Sequence, residues 1–230
     1  MTKIVEPVVR LIAHTRLADD FPHELMKRQA TSTDAETLVT LSGRLCYQSF
    51  HRPNPATMLD QDYIERTVFE QQHGSIIEHA TATLLFTGVS RAFLAELTRH
   101  RHLSFSVLSQ RFVDETDTAV VMPPAIRELD TKARAGWLQE QEAAIAAYVN
   151  TVEVLTAAGQ KRKQAREAAR SLLPNAVETK MVVTGNLRAW AQTIERRTDP
   201  SADAEMIEVM RMANTALTPV APTIFARENR

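Results

Sequence analysis

Six glycines, at positions 43, 74, 88, 136, 159 and 185, are all that these 230 residues contain, and their spacing closes off several ways of folding. A dinucleotide-binding fold needs G-x-G-x-x-G between its first strand and helix, and a P-loop fold needs G-x-x-x-x-G-K-[ST]; neither can be drawn from these six positions. A phosphate held by this chain therefore cannot rest in a glycine-lined backbone cradle. Side chains must hold it. Arginine suits the task best, because its planar guanidinium offers paired, charge-assisted N–H bonds.

The hydrophobic pattern indicates many short elements. "VVRLIAHT" (8–15) reads as a strand, and "HATATLLFT" (79–87) alternates, with Ala80, Ala82, Leu84 and Phe86 on one side. "AVVMPP", closed by Pro123 and Pro124, and "TKMVVTG" are further strands. Helical spacing runs through 34–49, with Leu38, Leu41 and Leu45 on one stripe and Asp34 as the N-cap. It recurs through 59–73 (Tyr63, Ile64, Val68 and Phe69) and 90–101 (Phe93, Leu94 and Leu97), and from about Gly136 to Ala158. "KRKQAREAARSLLP", "NLRAWAQTIERR" and "AEMIEVMRMANTALTPVAP" follow as helices, and the two prolines of "HRPNPA" forbid helix there. With no repeat and no linker, the expectation is a single domain over 1–230. It is an α/β chain of the α+β type, helix-rich, with a mixed or antiparallel sheet and packed helices.

Charge narrows the function. A net charge of -1 gives no overall field for nucleic acid or an anionic membrane, so any anion site is local. One cysteine, Cys46, excludes an internal disulfide and any C-x-x-C pair, and its helical setting without a histidine neighbour implies buried packing. No window reaches the length of a membrane span, and the N-terminal apolar run is broken by Glu6, Pro7 and Arg10, so neither a membrane segment nor a signal peptide is expected. The expected compartment is the cytoplasm.

The cationic donors gather in two places. "TRHRHLSFSVLSQRF" (98–112) holds Arg99, His100, Arg101, His102 and Arg111 around three serines. In the 161–174 helix, Arg162, Arg166 and Arg170 recur at i, i+4 and i+8, a stripe that also suits a solvated face. His100 and His102, two apart, splay on a helix, and there is no H-E-x-x-H, so no metal site is expected. Ser104, Ser106 and Ser109 lack a G-x-S-x-G elbow. His73, Glu78 and His79 read as the wall of a polar pocket or as hydrogen-bonded structural groups.

"RHRHLSFSVLSQR" resembles the signature of flavin-dependent thymidylate synthases: Arg-His-Arg, seven residues, then Ser109. "CYQSFHRPNP", "GSIIEHA", "RKQAREAARSLLPNAVET", "VVTGNLRAW" and the arginine ending "TIERR" resemble further blocks of that family, in family order, from about residue 8 to 215. The resemblance implies a methyltransferase that converts deoxyuridine monophosphate (dUMP) to thymidylate (dTMP). FAD is the cofactor, with NADPH and 5,10-methylenetetrahydrofolate as co-substrates. It also implies a homotetramer with shared active sites, and neither nucleic acid nor membrane as partner. Nucleotide phosphate, flavin pyrophosphate and folate carboxylates are all anions, which accounts for the arginines.

Residue by residue, the resemblance implies flavin contacts at Arg99, His100 and Arg101, at Ser75 from a neighbouring subunit, and at Val107, Asn186, Leu187, Arg188 and Gln192. It implies dUMP contacts at Glu96, Leu97, Thr98 and Arg99, in the segment Val107, Leu108, Ser109, Gln110 and Arg111, and at Arg170 and Arg197. Arg197 matches the catalytic residue: a guanidinium beside the uracil ring favours negative charge on N3–C4–O4 and so raises nucleophilicity at C5. Ser109 is expected as a hydrogen-bonding contact, since no base lies near it in sequence. Three positions depart from the family pattern. Val107 stands where Glu or Gln is usual, Phe112 where Tyr is common, and Gln192 where His or Asn is usual. Two rival readings are a nucleic-acid-binding module built on "RHRH", and a flavin-binding relative without synthase activity.

Overall fold

In the computed structural model, which describes residues 2–51 and 55–229, the alternating stretch around residue 80 becomes the centre of the sheet. Strand β3 (Thr81–Ser90) buries Ala82, Leu84 and Phe86 on one face. It lies between β2 (Val8–His14) and β6 (Glu178–Asn186), and β4 (Ser104–Val107) closes the far edge. The order is β2-β3-β6-β4, and every pairing is antiparallel. A second, two-stranded sheet pairs β1 (Ile4–Val5) with β5 (Val120–Val121) in parallel. The four-strand edge was not expected: "SFSV" was read for its serines, although Phe105 and Val107 alternate with Ser104 and Ser106 as a half-buried strand does.

The β3–β6 register slips between Phe86 and Val89, and Gly88 sits there with φ of 65°. A Cβ at Gly88 would stand 1.9 Å from the Glu6 carbonyl oxygen, so this glycine is required both by its backbone conformation and by the chain crossing over it.

Helices cover the sheet. α1 (Asp34–Tyr47) is followed by α2 (Asp60–Ile64), which widens into a π-helical turn over Glu65–Glu70 and buries Tyr63, Ile64 and Val68. α3 (Arg91–Leu97) follows β3 directly, with Ser90 as N-cap accepting from the Phe93 N–H at 2.9 Å. A short α4 (Pro124–Arg127) leads to α5 (Thr131–Ala157), which begins five residues before the expected Gly136 because Asp130 caps it, accepting from the Ala133 N–H. α6 (Arg162–Ala169) precedes β6, and α7 (Leu187–Arg197), α8 (Ala204–Leu217) and α9 (Pro222–Phe225) complete the chain. The core joins β3 and β6 to Leu187, Trp190 and Ile194 of α7 and to Met206, Val209, Met210, Ala213 and Leu217 of α8. Among the described residues, no helix is long and apolar enough to cross a membrane.

Three local expectations need correction. The N-cap of α1 is Thr33, not Asp34: its hydroxyl accepts from the Glu36 N–H at 3.1 Å while Glu36 reaches back to the Thr33 N–H, a reciprocal capping box. The Leu38–Leu41–Leu45 stripe is not the buried face, for Leu45 is 52% exposed; α1 instead buries Ala35, Val39 and a set of polar side chains including Glu36 and Thr40. Cys46 is exposed, its thiol donating only to the Ser42 carbonyl of its own helix at 3.4 Å. α1 ends at Gln48, in the left-handed conformation; the proline break expected in "HRPNPA" falls largely on residues 52–54, outside the described residues.

Candidate active site

The inward positions Phe93, Leu94 and Leu97 fill one side of α3, and the helix stops at Leu97 because the next inward positions would carry His100 and Arg101. The Arg-His-Arg triplet is therefore not on a helix, as its sequence setting suggested, but in consecutive tight turns. The N–H groups of Arg99, His100 and Leu103 bond to the carbonyls of Glu96, Leu97 and His100. These turns reverse the chain into β4 and leave Arg99 and Arg101 exposed, while His100 faces α7.

Arg197, in the last turn of α7, meets that turn. Its Nε donates to His100 Nε2 at 2.8 Å, Nη1 to the Glu96 carboxylate at 3.0 Å, and Nη2 to the Glu96 carbonyl at 3.1 Å. The side chain is 18% exposed, and all three guanidinium nitrogens are anchored, with one N–H on each terminal nitrogen left over. Arg99 reaches the same Glu96 carboxylate at 3.7 Å. Burial holds the His100 imidazole below its ordinary pKa, as do the cations Arg197, Arg196 and Arg99; Glu96 opposes them. Thus Glu96, Arg99, His100 and Arg197, about 100 residues apart in the chain, form one constellation. Leu97 beside them is fully buried, so any ligand contact it makes goes through its main chain; Thr98 is exposed.

At the other end of α7, Asn186 caps the helix, its Oδ1 accepting from the Ala189 N–H at 2.8 Å, and Leu187 is buried in the core. Arg188 is the exposed member of that trio and pairs with Glu78 at 2.5 Å. It stands between two open clefts. One, of about 360 Å³, is lined by Cys46, Tyr47, His73, Gly74 and Ser75; the other, of about 550 Å³, by Phe69, Gln192, Glu195 and Arg227. A Cβ on Gly74 would come within 3.3 Å of the Arg188 Nε, so the glycine keeps the space beside the guanidinium open. An exposed arginine, a serine hydroxyl and aromatic rings around open clefts suit a dinucleotide cofactor with an anionic pyrophosphate. His73 thus lies on a cleft wall with its ring over Tyr47, whereas His79 is exposed at the end of the 3₁₀ segment Gly74–Glu78. Among the described residues no three His, Cys, Asp or Glu side chains converge as a metal site requires.

The remaining expected contacts lie elsewhere. β4 carries the chain away from His100, and its four residues span about 13 Å at roughly 3.3 Å each. Val107 packs against the core, the Leu108 N–H bonds to the Lys180 carbonyl, and the Ser109 carbonyl accepts from the N–H groups of Phe112 and Val113. Gln110 is buried and Arg111 exposed. Phe112 is exposed, its ring faced by Lys163 and Arg111. Arg166 is not part of a solvated stripe: it is buried, donating to the Phe112 carbonyl at 2.9 Å and pairing with Asp114, while Arg162 and Arg170 are exposed. No spacing or motif singles out Arg91, whose guanidinium donates to the Leu108 carbonyl at 3.4 Å. Burial lowers its pKa and so does nearby Arg170, with the buried Glu115 partly offsetting them. Arg91 and Arg170 thus stand together near the Leu108–Arg111 segment, with Glu115 close to Arg91.

Known proteins resemble the chain over nearly its whole length. The family model described as thymidylate synthase complementing protein matches residues 29–223. The chain is 45% identical to a flavin-dependent thymidylate synthase of Mycobacteroides abscessus over 98% of its own length and 91% of that protein's. It is likewise 45% identical to a probable flavin-dependent thymidylate synthase of Mycobacterium phage L5, over 84% of this chain and 80% of that one. Among solved structures, thymidylate synthase X of Helicobacter pylori with FAD and dUMP superimposes with a TM-score of 0.66 at 20% identity, covering 96% of this chain and 97% of that one. A UMP/dUMP methylase, PolB, from Streptomyces cacaoi gives 0.72 at 19% identity, covering 98% and 95%. At those identities the two structures establish a shared fold.

Proposed function

The chain belongs to the flavin-dependent thymidylate synthase family, and from that premise we propose that it methylates dUMP to dTMP at a site centred on Arg197. One observation carries the reading: a mostly buried guanidinium, held at all three nitrogens by Glu96 and His100 with two N–H bonds left over, stands beside the exposed arginines of the signature turn. A guanidinium so placed meets the N3–C4–O4 edge of uracil and stabilises the negative charge that makes C5 nucleophilic, without a thiol. Cys46, whose thiol donates within α1 and which lines the cleft beside Arg188, has no part in this step.

FAD, when bound, supplies the hydride; NADPH as its reductant and 5,10-methylenetetrahydrofolate as one-carbon donor complete the proposed set. Arg188, Ser75, Arg99 and Arg101 would hold the flavin, with Asn186 and Leu187 contributing main chain and Gln192 a side-chain donor or acceptor. Ser109, Gln110, Arg111 and Arg170 would hold the nucleotide phosphate. In one chain these last residues lie across the length of β4 from Arg197, which supports a homotetramer whose sites take one half from each of two subunits. Exposed Leu45 and Tyr47 on α1, and Ile12 on β2, support subunit contact as well. The chain is read as one domain acting in the cytoplasm. The relatives' names favour this reading over a nucleic-acid module.

The test is the visible spectrum of the purified protein with FAD during titration with dUMP. The expected result is a flavin band that shifts and saturates with nucleotide, because both ligands share one site. A flavin band indifferent to dUMP would sink the reading.

A further inference from the structure

The Arg197 guanidinium has five N–H bonds in a fixed plane, and three are spent: one on His100 and one each on the Glu96 carboxylate and carbonyl. The two that remain, one on each terminal nitrogen, are those free for a substrate. Glu96 holds the terminal nitrogens, but two contacts to one residue leave the plane free to swing about them. The third anchor, on Nε, removes that freedom.

We propose that His100 is a positioning residue for Arg197: its neutral imidazole, protonated at Nδ1, accepts the Nε–H at Nε2 and fixes the plane in which the guanidinium meets the uracil. This rests on the reading of Arg197 as the activating group, and it assigns His100 a role separate from flavin contact. Only the neutral imidazole can do it. An imidazolium has no acceptor, so its Nε2–H would confront the Nε–H of a second cation. The charged groups facing His100 are Arg197 and Arg196 from α7, Arg99 from its own turn, and Glu96 from α3. Burial and three cations against one carboxylate keep the ring neutral, with its pKa below the ordinary 6.5. The anchor is therefore present above that value and is lost as the pH falls through the lowered pKa.

The test measures turnover of the holoenzyme at saturating FAD and dUMP, with pH profiles, for wild type, His100→Ala, His100→Gln and Arg197→Ala. The glutamine side chain can place its carbonyl oxygen near the Nε2 position. His100→Ala is expected to lose about 100-fold in kcat, the scale of a misplaced catalytic group, with dUMP KM changing little. His100→Gln is expected to recover to within about tenfold of wild type and to lack the wild-type acid limb below pH 6.5. Wild-type kcat in His100→Ala at saturating FAD, with only the FAD requirement raised, would overturn the proposal, leaving a flavin contact only; so would an unchanged acid limb in His100→Gln. If His100→Ala does not fold, the glutamine variant and its pH profile decide alone. Near-normal turnover in Arg197→Ala would instead remove the reading beneath the proposal.

Discussion

Replacing Arg197 by alanine lowers turnover by about three orders of magnitude while the protein keeps its flavin. The size follows from the chemistry: removing one preorganised donor aimed at developing charge costs about 10²–10³ in kcat, and here the whole guanidinium goes. Flavin is retained because the residues proposed to hold it, Arg188, Ser75, Arg99 and Arg101, all stay in place, and Arg188 lies nine residues, roughly 14 Å of helix, from Arg197. Folding survives too. Glu96, left with Arg99, is about a third exposed and can turn to water. Steady-state kinetics beside a flavin absorbance spectrum read both halves of this result. Loss of flavin together with turnover would make Arg197 a structural residue, and near-normal turnover would remove it from the chemistry.

The largest effect on stability is expected at Trp190. Its side chain is completely buried, its Nε1–H donates to the Ala82 carbonyl at 3.0 Å, and its ring lies over Phe86 with centroids 6.3 Å apart. Gly185 leaves room for it: a Cβ there would come within 3.3 Å of the indole nitrogen and 2.5 Å of Leu103. Truncation to alanine opens a cavity between α7 and the sheet and removes the indole's hydrogen bond to the Ala82 carbonyl. The expected cost is about 3–5 kcal/mol, much of the roughly 5–15 kcal/mol that holds a protein folded. Trp190→Phe keeps most of the packing and loses mainly the hydrogen bond, about 1 kcal/mol. Urea unfolding at one fixed protein concentration measures both, since association would otherwise shift the midpoint. A loss below about 1 kcal/mol in Trp190→Ala would mean that this packing does not hold the sheet to α7.

What was legible in the sequence was what is local. The alternation around residue 80 gave β3 because its buried face recurs every second residue, and Tyr63, Ile64 and Val68 marked a helical face through α2 and its π-turn. Where burial depends on partners far along the chain, the pattern misled. α1 hides Glu36 rather than its leucine stripe because that carboxylate accepts from the Thr223 N–H at 2.8 Å, 187 positions away. Arg166 looked like surface charge and is buried because Phe112 and Asp114, more than fifty residues earlier, receive it. The end of α3 was readable in hindsight, since polar residues take over its inward positions after Leu97.

The site divides in the same way. The family resemblance named Glu96, His100 and Arg197 one by one, Glu96 and Arg197 for dUMP and His100 for the flavin. That the three bond to one another is a property of α3 and α7 meeting at one end of the sheet, which no spacing encodes. Arg91 carried no signal at all, because a single arginine after a helix cap is ordinary until Arg170 and Glu115 are placed beside it.

The most direct measurement is product formation: purified protein with dUMP, 5,10-methylenetetrahydrofolate, NADPH and FAD, and the same mixture with each component left out in turn. dTMP is expected to accumulate only in the complete mixture, with its rate collapsing in Arg197→Ala. A protein that binds flavin and dUMP together yet forms no dTMP under any of these conditions would contradict the proposed function.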